Sequence, residues 1–160
     1  MSLFDLDEEK QTEEQEEIKQ QPEETASEPV DSTELWSSNV SMLEKWGAYV
    51  GRQNLYDNAK DPDRRHRVWP VVESHFGGKI GNLKSRVDEL YNNFVEEYRK
   101  NETICQRCGV EPVTIKWLRD YLWDGKDIES YRNRCRTRQA KPEKYPPVSL
   151  KDFPRRRKKK

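Results

Sequence analysis

The sequence predicts a small all-α domain of five or six helices with disordered ends. Apolar residues recur at three- and four-residue spacing, no segment has the alternation of a strand, and only 32% of the 160 residues are hydrophobic. That apolar fraction supplies one modest core. We therefore expect a helical domain over residues 38–138, a disordered acidic arm over 1–37 and a disordered basic tail over 139–160.

Each predicted helix carries one apolar stripe. Asp61-Pro62 separates the first two helices, and Gly77-Gly78 ends the second because glycine tolerates the left-handed conformation. Asn101 or Thr103 is expected to cap a short fourth helix that ends before Gly109. The other expected helices cover 38–58, 68–76, 81–99, 112–122 and 127–138, and their stripes include Met42, Leu43, Trp46, Tyr49, Val50, Leu83, Val87, Leu90, Phe94, Ile128, Tyr131 and Cys135.

The charges are divided unequally along the chain. The 30 basic and 30 acidic residues cancel, but residues 1–35 hold 13 acidic and 2 basic side chains, so residues 36–160 carry a net charge of +11. A basic body binds polyanions through counterion release. An acidic arm can shield that body or bind a basic partner, and a purely solubilising arm is the alternative.

The sequence gives no indication of a membrane or a secretion pathway. No run of about 18 apolar residues occurs, and the start MSLFDLDEEK lacks the basic and apolar regions of a secretory signal. Three cysteines, an odd number, favour a reducing compartment. We expect the cytoplasm of a bacterium or phage-infected host, or the nucleus if the source is eukaryotic.

Residues 101–120, NETICQRCGVEPVTIKWLRD, have the anatomy of two short helices joined at Gly109. Residues 103–118, TICQRCGVEPVTIKWL, resemble the helix-turn-helix of bacterial and phage regulators. The sequence departs from that pattern at Cys105, where alanine is most usual, and at Trp117 on the outer face. The resemblance implies that helix 112–122 lies in the major groove of double-stranded DNA.

The same resemblance assigns roles to individual residues. Side chains at the start of the reading helix would approach base edges, and those around it would hold phosphates. The base-edge residues would be Glu111, Val113, Thr114 and Lys116, and the phosphate ligands Thr103, Gln106 and Arg119.

Further basic clusters are candidate phosphate ligands. Arg64, Arg65 and Arg67 form a basic loop, although an ordinary solvated loop has the same composition. The tail contributes Arg155, Arg156 and Arg157. Four more arginines alternate along the last helix, at 132, 134, 136 and 138, which suits either an extended electrostatic surface or a solvated helix face.

Two cysteines raise the question of a metal site. Cys105-Gln-Arg-Cys108 has the spacing of zinc ligands, and Cys135 with one histidine would complete four. A zinc-stabilised RNA-binding module is therefore one alternative. Core packing accounts for more residues, because cysteine behaves there as a small hydrophobe, and we expect no metal or cofactor.

These features together predict a DNA-binding accessory or regulatory protein of transcription or replication, from a bacterium or phage. Ser2-Leu3-Phe4 resembles the core of sliding-clamp docking peptides, so residues 1–35 would contact a protein partner such as polymerase or the clamp. A protein-interaction adaptor that binds through this acidic arm is the rival. We expect no enzyme, because no catalytic grouping of side chains stands out.

Overall fold

The computed structural model describes residues 32–153, and the regular structure of that part is helical throughout. The predicted all-α class is therefore confirmed. Within these residues, α1 is Thr33–Lys60, α2 is Arg65–Phe76, α3 is Ile80–Cys108, α4 is Ile115–Tyr121, α5 is Gly125–Ala140, and Leu150–Asp152 forms a 3₁₀ turn.

Helix α1 lies at the centre, with α3 packed on one side and α5 on another. The ring of Trp46 lies 4.9 Å from that of Phe94, and nearer the start of α1 the amide of Asn101 lies 2.8 Å from Asn39, so α1 and α3 run antiparallel. Arg136 of α5 reaches Glu44 of α1 at 3.1 Å, and α5 is also antiparallel to α1. Helices α3 and α5 therefore run parallel. Residues 109–124, which connect them, must lead from the end of α3 back toward the level at which α3 begins.

The predicted apolar stripes form the core between these three helices. Trp46 is fully buried, and its indole N–H donates to the carbonyl of Leu122 at 2.6 Å, so the residue that follows α4 is fixed against α1. The stripe residues that the structure buries are Met42, Leu43, Trp46, Tyr49, Val50, Leu83, Val87, Leu90, Phe94, Ile128, Tyr131 and Cys135.

Helix α3 is one continuous helix of 29 residues, whereas the sequence predicted a break near residue 100. Asn101 is buried inside it, and its side-chain amide donates to Ser38 at 3.0 Å and Asn39 at 2.8 Å. Thr103 donates to the carbonyl of Arg99 within the same helix. Neither residue caps a helix, because tertiary partners on α1 satisfy the asparagine that the sequence indicated as a cap.

Both ends of the domain extend further than expected. Helix α1 begins at Thr33, with Leu35 and Trp36 fully buried, and the segment after α5 is ordered to Phe153, which is 3% exposed. The rings of Trp36 and Phe153 stack 5.8 Å apart. The two boundary errors have one cause, because each of these segments is buried against the other.

Arg138 and Ser32 complete this junction. The Arg138 guanidinium lies 4.7 Å from the ring centroid of Phe153 and 4.9 Å from that of Tyr145. The indole N–H of Trp36 and the hydroxyl of Ser32 both donate to the carbonyl of Tyr145, at 3.3 and 2.9 Å. Part of the segment predicted as a disordered tail is therefore a structural element of the domain. No helix of residues 32–153 has the length and apolar character needed to cross a membrane.

Candidate nucleic-acid interface

The segment predicted as a reading helix, 112–122, is helical only over Ile115–Tyr121. Gly109 adopts the left-handed conformation, with φ 75°, and ends α3. The chain then has no regular structure until Thr114, whose hydroxyl accepts from the backbone N–H of Trp117 at 2.9 Å and caps α4. The connection is longer and the second helix shorter than the resemblance implies.

Val113 was expected on the outer face, and the structure places it in the core at 3% exposed. The Tyr98 hydroxyl donates to the carbonyl of Val113 at 2.5 Å, which fixes this part of the connection against α3. A base edge cannot reach a side chain in that position, so the expectation for Val113 was wrong. Burial also raises the pKa of Tyr98 above its usual value.

Carboxylates lie next to basic groups on α4 and on the connection that precedes it. Lys116 lies 2.8 Å from Asp120, and Glu111 lies 3.0 Å from Lys151. Arg119 lines a groove together with Asn92 of α3. Two carboxylates on this surface would repel phosphate groups, so α4 offers a mixed rather than a basic face.

The predicted phosphate ligands are scattered over the domain. Thr103 and Gln106 are exposed near the end of α3, close in sequence to the connection. Arg64, Arg65 and Arg67 lie where α2 begins, directly after the connection from α1. Arg119 of α4 lies beside Asn92 in the first half of α3, so the predicted ligands belong to separate elements of the domain.

Helix α5 has the charge that α4 lacks. Helix α1 has three basic and three acidic residues, α3 has five of each, and α5 has five basic and two acidic residues. No carboxylate occurs from Ser130 to Pro142, a stretch with five basic side chains. The charge excess of the described helices is therefore concentrated in the second half of α5.

Three buried residues, Ile128, Tyr131 and Cys135, fix which side of α5 faces the core. Asn133 and Thr137, one turn apart, are exposed on the opposite side. A shallow depression runs along this outward face, lined by Gly125, Lys126, Glu129, Ser130, Asn133, Arg134 and Thr137.

The structure gives different surroundings to the four arginines that alternate in the sequence. Arg138 is enclosed by aromatic rings, and Arg132 pairs with Glu129. The guanidinium of Arg136 donates to Glu44 at 3.1 Å and to the side-chain oxygen of Asn133 at 3.3 Å. That of Arg134 lies 5.1 Å from the ring centroid of Tyr131, at the edge of the outward face. Arg138 is thus structural, while Arg134 and Arg136 flank Asn133.

Phe153 anchors the start of the basic tail beside α5, since its ring stacks on Tyr131 at 5.7 Å. Arg155, Arg156 and Arg157 lie outside the described residues, as does the acidic arm over 1–31 with its Ser2-Leu3-Phe4 motif.

Two of the three cysteines, Cys105 and Cys135, are buried in the core, and Cys108 is half-buried. Cys105 is 4% exposed and Cys135 fully buried, and burial raises their thiol pKa values to about 11 and about 12. The Cys105 thiol lies 3.5 Å from the side-chain oxygen of Asn101. Among residues 32–153, no three His, Cys, Asp or Glu side chains are grouped closely enough to hold a metal ion.

The run from Ser130 to Pro142 was visible in the sequence as basic side chains without carboxylates. Its importance was hidden because alternation alone could not distinguish an arginine in the core from one on the surface. In comparisons with known proteins, no family model matches the chain, and no curated protein or solved structure is significantly similar to it.

Proposed function

We propose that this protein binds double-stranded DNA through the outward face of α5 and the basic tail that follows Phe153. The observation that carries the proposal is the stretch from Ser130 to Pro142, which contains no carboxylate. Most of this stretch belongs to helix α5, which holds its outer side chains on one face. Phosphate contacts supply most of the affinity of such proteins and require cationic side chains that reach the duplex.

The tail adds to the same surface. Residues 155–160 are all basic, and Phe153 holds the preceding chain against Tyr131 of α5. Tethered cations raise the local concentration of positive charge near the helix, so helix and tail would neutralise neighbouring phosphates on one duplex.

Helix α4 is a weaker candidate for the contact surface. Its Lys116 is paired with Asp120, and the nearby Glu111 is paired with Lys151. A transcription or replication role, with the acidic arm bound to polymerase or a sliding clamp, is consistent with the proposal. The rival is an adaptor that binds its partner through the arm and has no affinity for DNA.

A salt titration tests the proposal. Binding of the full chain to a labelled duplex of random sequence is followed by fluorescence anisotropy, and the logarithm of the association constant is plotted against that of salt concentration. Arg134→Gln with Lys141→Gln should lower affinity and reduce the slope by about 2 if both contact phosphates. Removal of residues 154–160 should reduce the slope further.

The matched control is Lys84→Gln with Arg86→Gln on α3. It removes the same charge from α3, where Lys84 lies 2.8 Å from Asp88 and Arg86 lies 3.0 Å from Glu89. Binding should change little in this variant. Equal losses in the two variants, or no duplex binding at low salt, would contradict the proposal.

A further inference from the structure

We infer that Asn133 reads an adenine in the major groove of double-stranded DNA, with Arg136 and Glu44 holding its amide in position. The inference rests on the proposed function and goes beyond it, because phosphate contacts alone carry no sequence information. It also moves base readout from the segment 112–122 to α5.

The first step is the position of Asn133. It is exposed on the side of α5 opposite the buried Tyr131 and Cys135. Helix α5 has 16 residues and is about 24 Å long. An α-helix is about 10 to 12 Å across and fits the major groove of DNA. The side chain opposite the core is the one that would lie deepest in the groove.

The second step is the composition of the outward face. Ser130, Asn133 and Thr137 form a polar centre along the shallow depression of α5. Arg134 lies on one edge of this centre, and Lys141 follows two turns later in sequence. The carboxylate of Glu129 also lines the depression and pairs with Arg132. Polar side chains in the middle suit base edges, and cationic ones at the border suit phosphates.

The third step is the fixed orientation of the amide. Glu44 of α1 accepts from Arg136 at 3.1 Å, and Arg136 donates to the side-chain oxygen of Asn133 at 3.3 Å. An amide oxygen accepts two hydrogen bonds, so a second can come from the N6 amino group of adenine while the amide N–H₂ donates to N7. Arg136 and Glu44 are thus positioning residues. The carboxylate of Glu44 orients Arg136, and Arg136 orients the amide of Asn133.

The experiment begins with selection of duplexes from a pool with about 20 randomised base pairs by the full-length protein. Affinity is then measured for the selected duplex and for a random one. Asn133→Ala should lower the ratio of the two affinities about 5- to 150-fold, because affinity for the selected duplex falls much more than affinity for the random one. Asn93→Ala, an exposed asparagine on α3, is the matched control and should leave the ratio unchanged.

Glu44→Gln tests the positioning role. The loss of negative charge weakens the hold of residue 44 on the Arg136 guanidinium, because a hydrogen bond to a neutral amide oxygen is weaker than one to a carboxylate. Binding of the random duplex should therefore hold or increase while the ratio falls. If the Glu44–Arg136 ion pair only stabilised the fold, affinity for the random duplex and the ratio of affinities would fall together. Circular dichroism spectra of all variants verify that the helices are intact.

The outcomes distinguish the inference from the proposal on which it rests. An unchanged ratio in Asn133→Ala, or a wild-type protein without sequence preference, overturns base readout by α5 while salt-dependent duplex binding still supports the proposed function. Equal affinity for a double-stranded RNA of the selected sequence also overturns it, because the major groove of RNA is too narrow for a helix. Failure to bind any duplex overturns both.

Discussion

Replacement of Phe153 by alanine tests whether the chain after α5 belongs to the domain. The ring is 3% exposed and lies 5.8 Å from that of Trp36 and 5.7 Å from that of Tyr131. Loss of about 100 Å² of buried apolar surface costs about 2.5 kcal/mol. The loss of the two ring contacts increases this cost, and relaxation of the neighbouring chain decreases it. We therefore expect the free energy of unfolding to fall by about 3 kcal/mol.

Thermal unfolding measured by circular dichroism provides the assay. At about 4 °C per kcal/mol for a domain of this size, Phe153→Ala should lower the midpoint by about 12 °C. Val71→Ala, at a hydrophobic residue 36% exposed on α2, is the control and should change stability by less than about 0.5 kcal/mol. A Phe153→Ala midpoint equal to that of wild type would refute the docking of this segment and restore the disordered tail.

Two other predictions concern buried polar groups. Asn101→Ala should reduce the free energy of unfolding in urea by about 2 kcal/mol, because it removes both hydrogen bonds to α1. Asn93→Ala, at an exposed position, should have almost no effect. Equal losses in the two variants would contradict the buried role of Asn101. Burial raises the pKa of Cys105 to about 11 and of Cys135 to about 12 from the usual 9.0, so their contribution to stability is complete below pH 9 and is lost as pH rises through these values. Urea unfolding between pH 8 and pH 11 should therefore show a steeper loss for wild type than for Cys135→Ala, and parallel curves would refute this.

The sequence by itself determined the helical class and the inward face of each long helix. Apolar side chains every three or four residues select a helix and its buried side through local geometry alone. Trp46, Phe94 and Tyr131 are buried for this reason. The concentration of basic residues without carboxylates from Ser130 to Pro142 was likewise a property of the sequence.

Only the tertiary structure decided where elements begin and end and which charges are available. Asn101 has the chemistry of a helix cap, and its partners on α1 make it an interior residue instead. Trp36 and Phe153 are far apart in the chain, and each looks like part of a disordered end until the other covers it. Their burial depends on residues that no local pattern contains.

The same reason separates the two candidate reading surfaces. Val113 and Lys116 fit the outer face of a helix-turn-helix by spacing, but contact with α3 buries the first and Asp120 pairs with the second. Arg136 and Arg138 occupy equivalent positions in an alternating series, yet one reaches Glu44 and Asn133 while the other is enclosed by aromatic rings. Spacing sets the direction of a side chain relative to its own helix, and only the packing of helices decides what that side chain contacts.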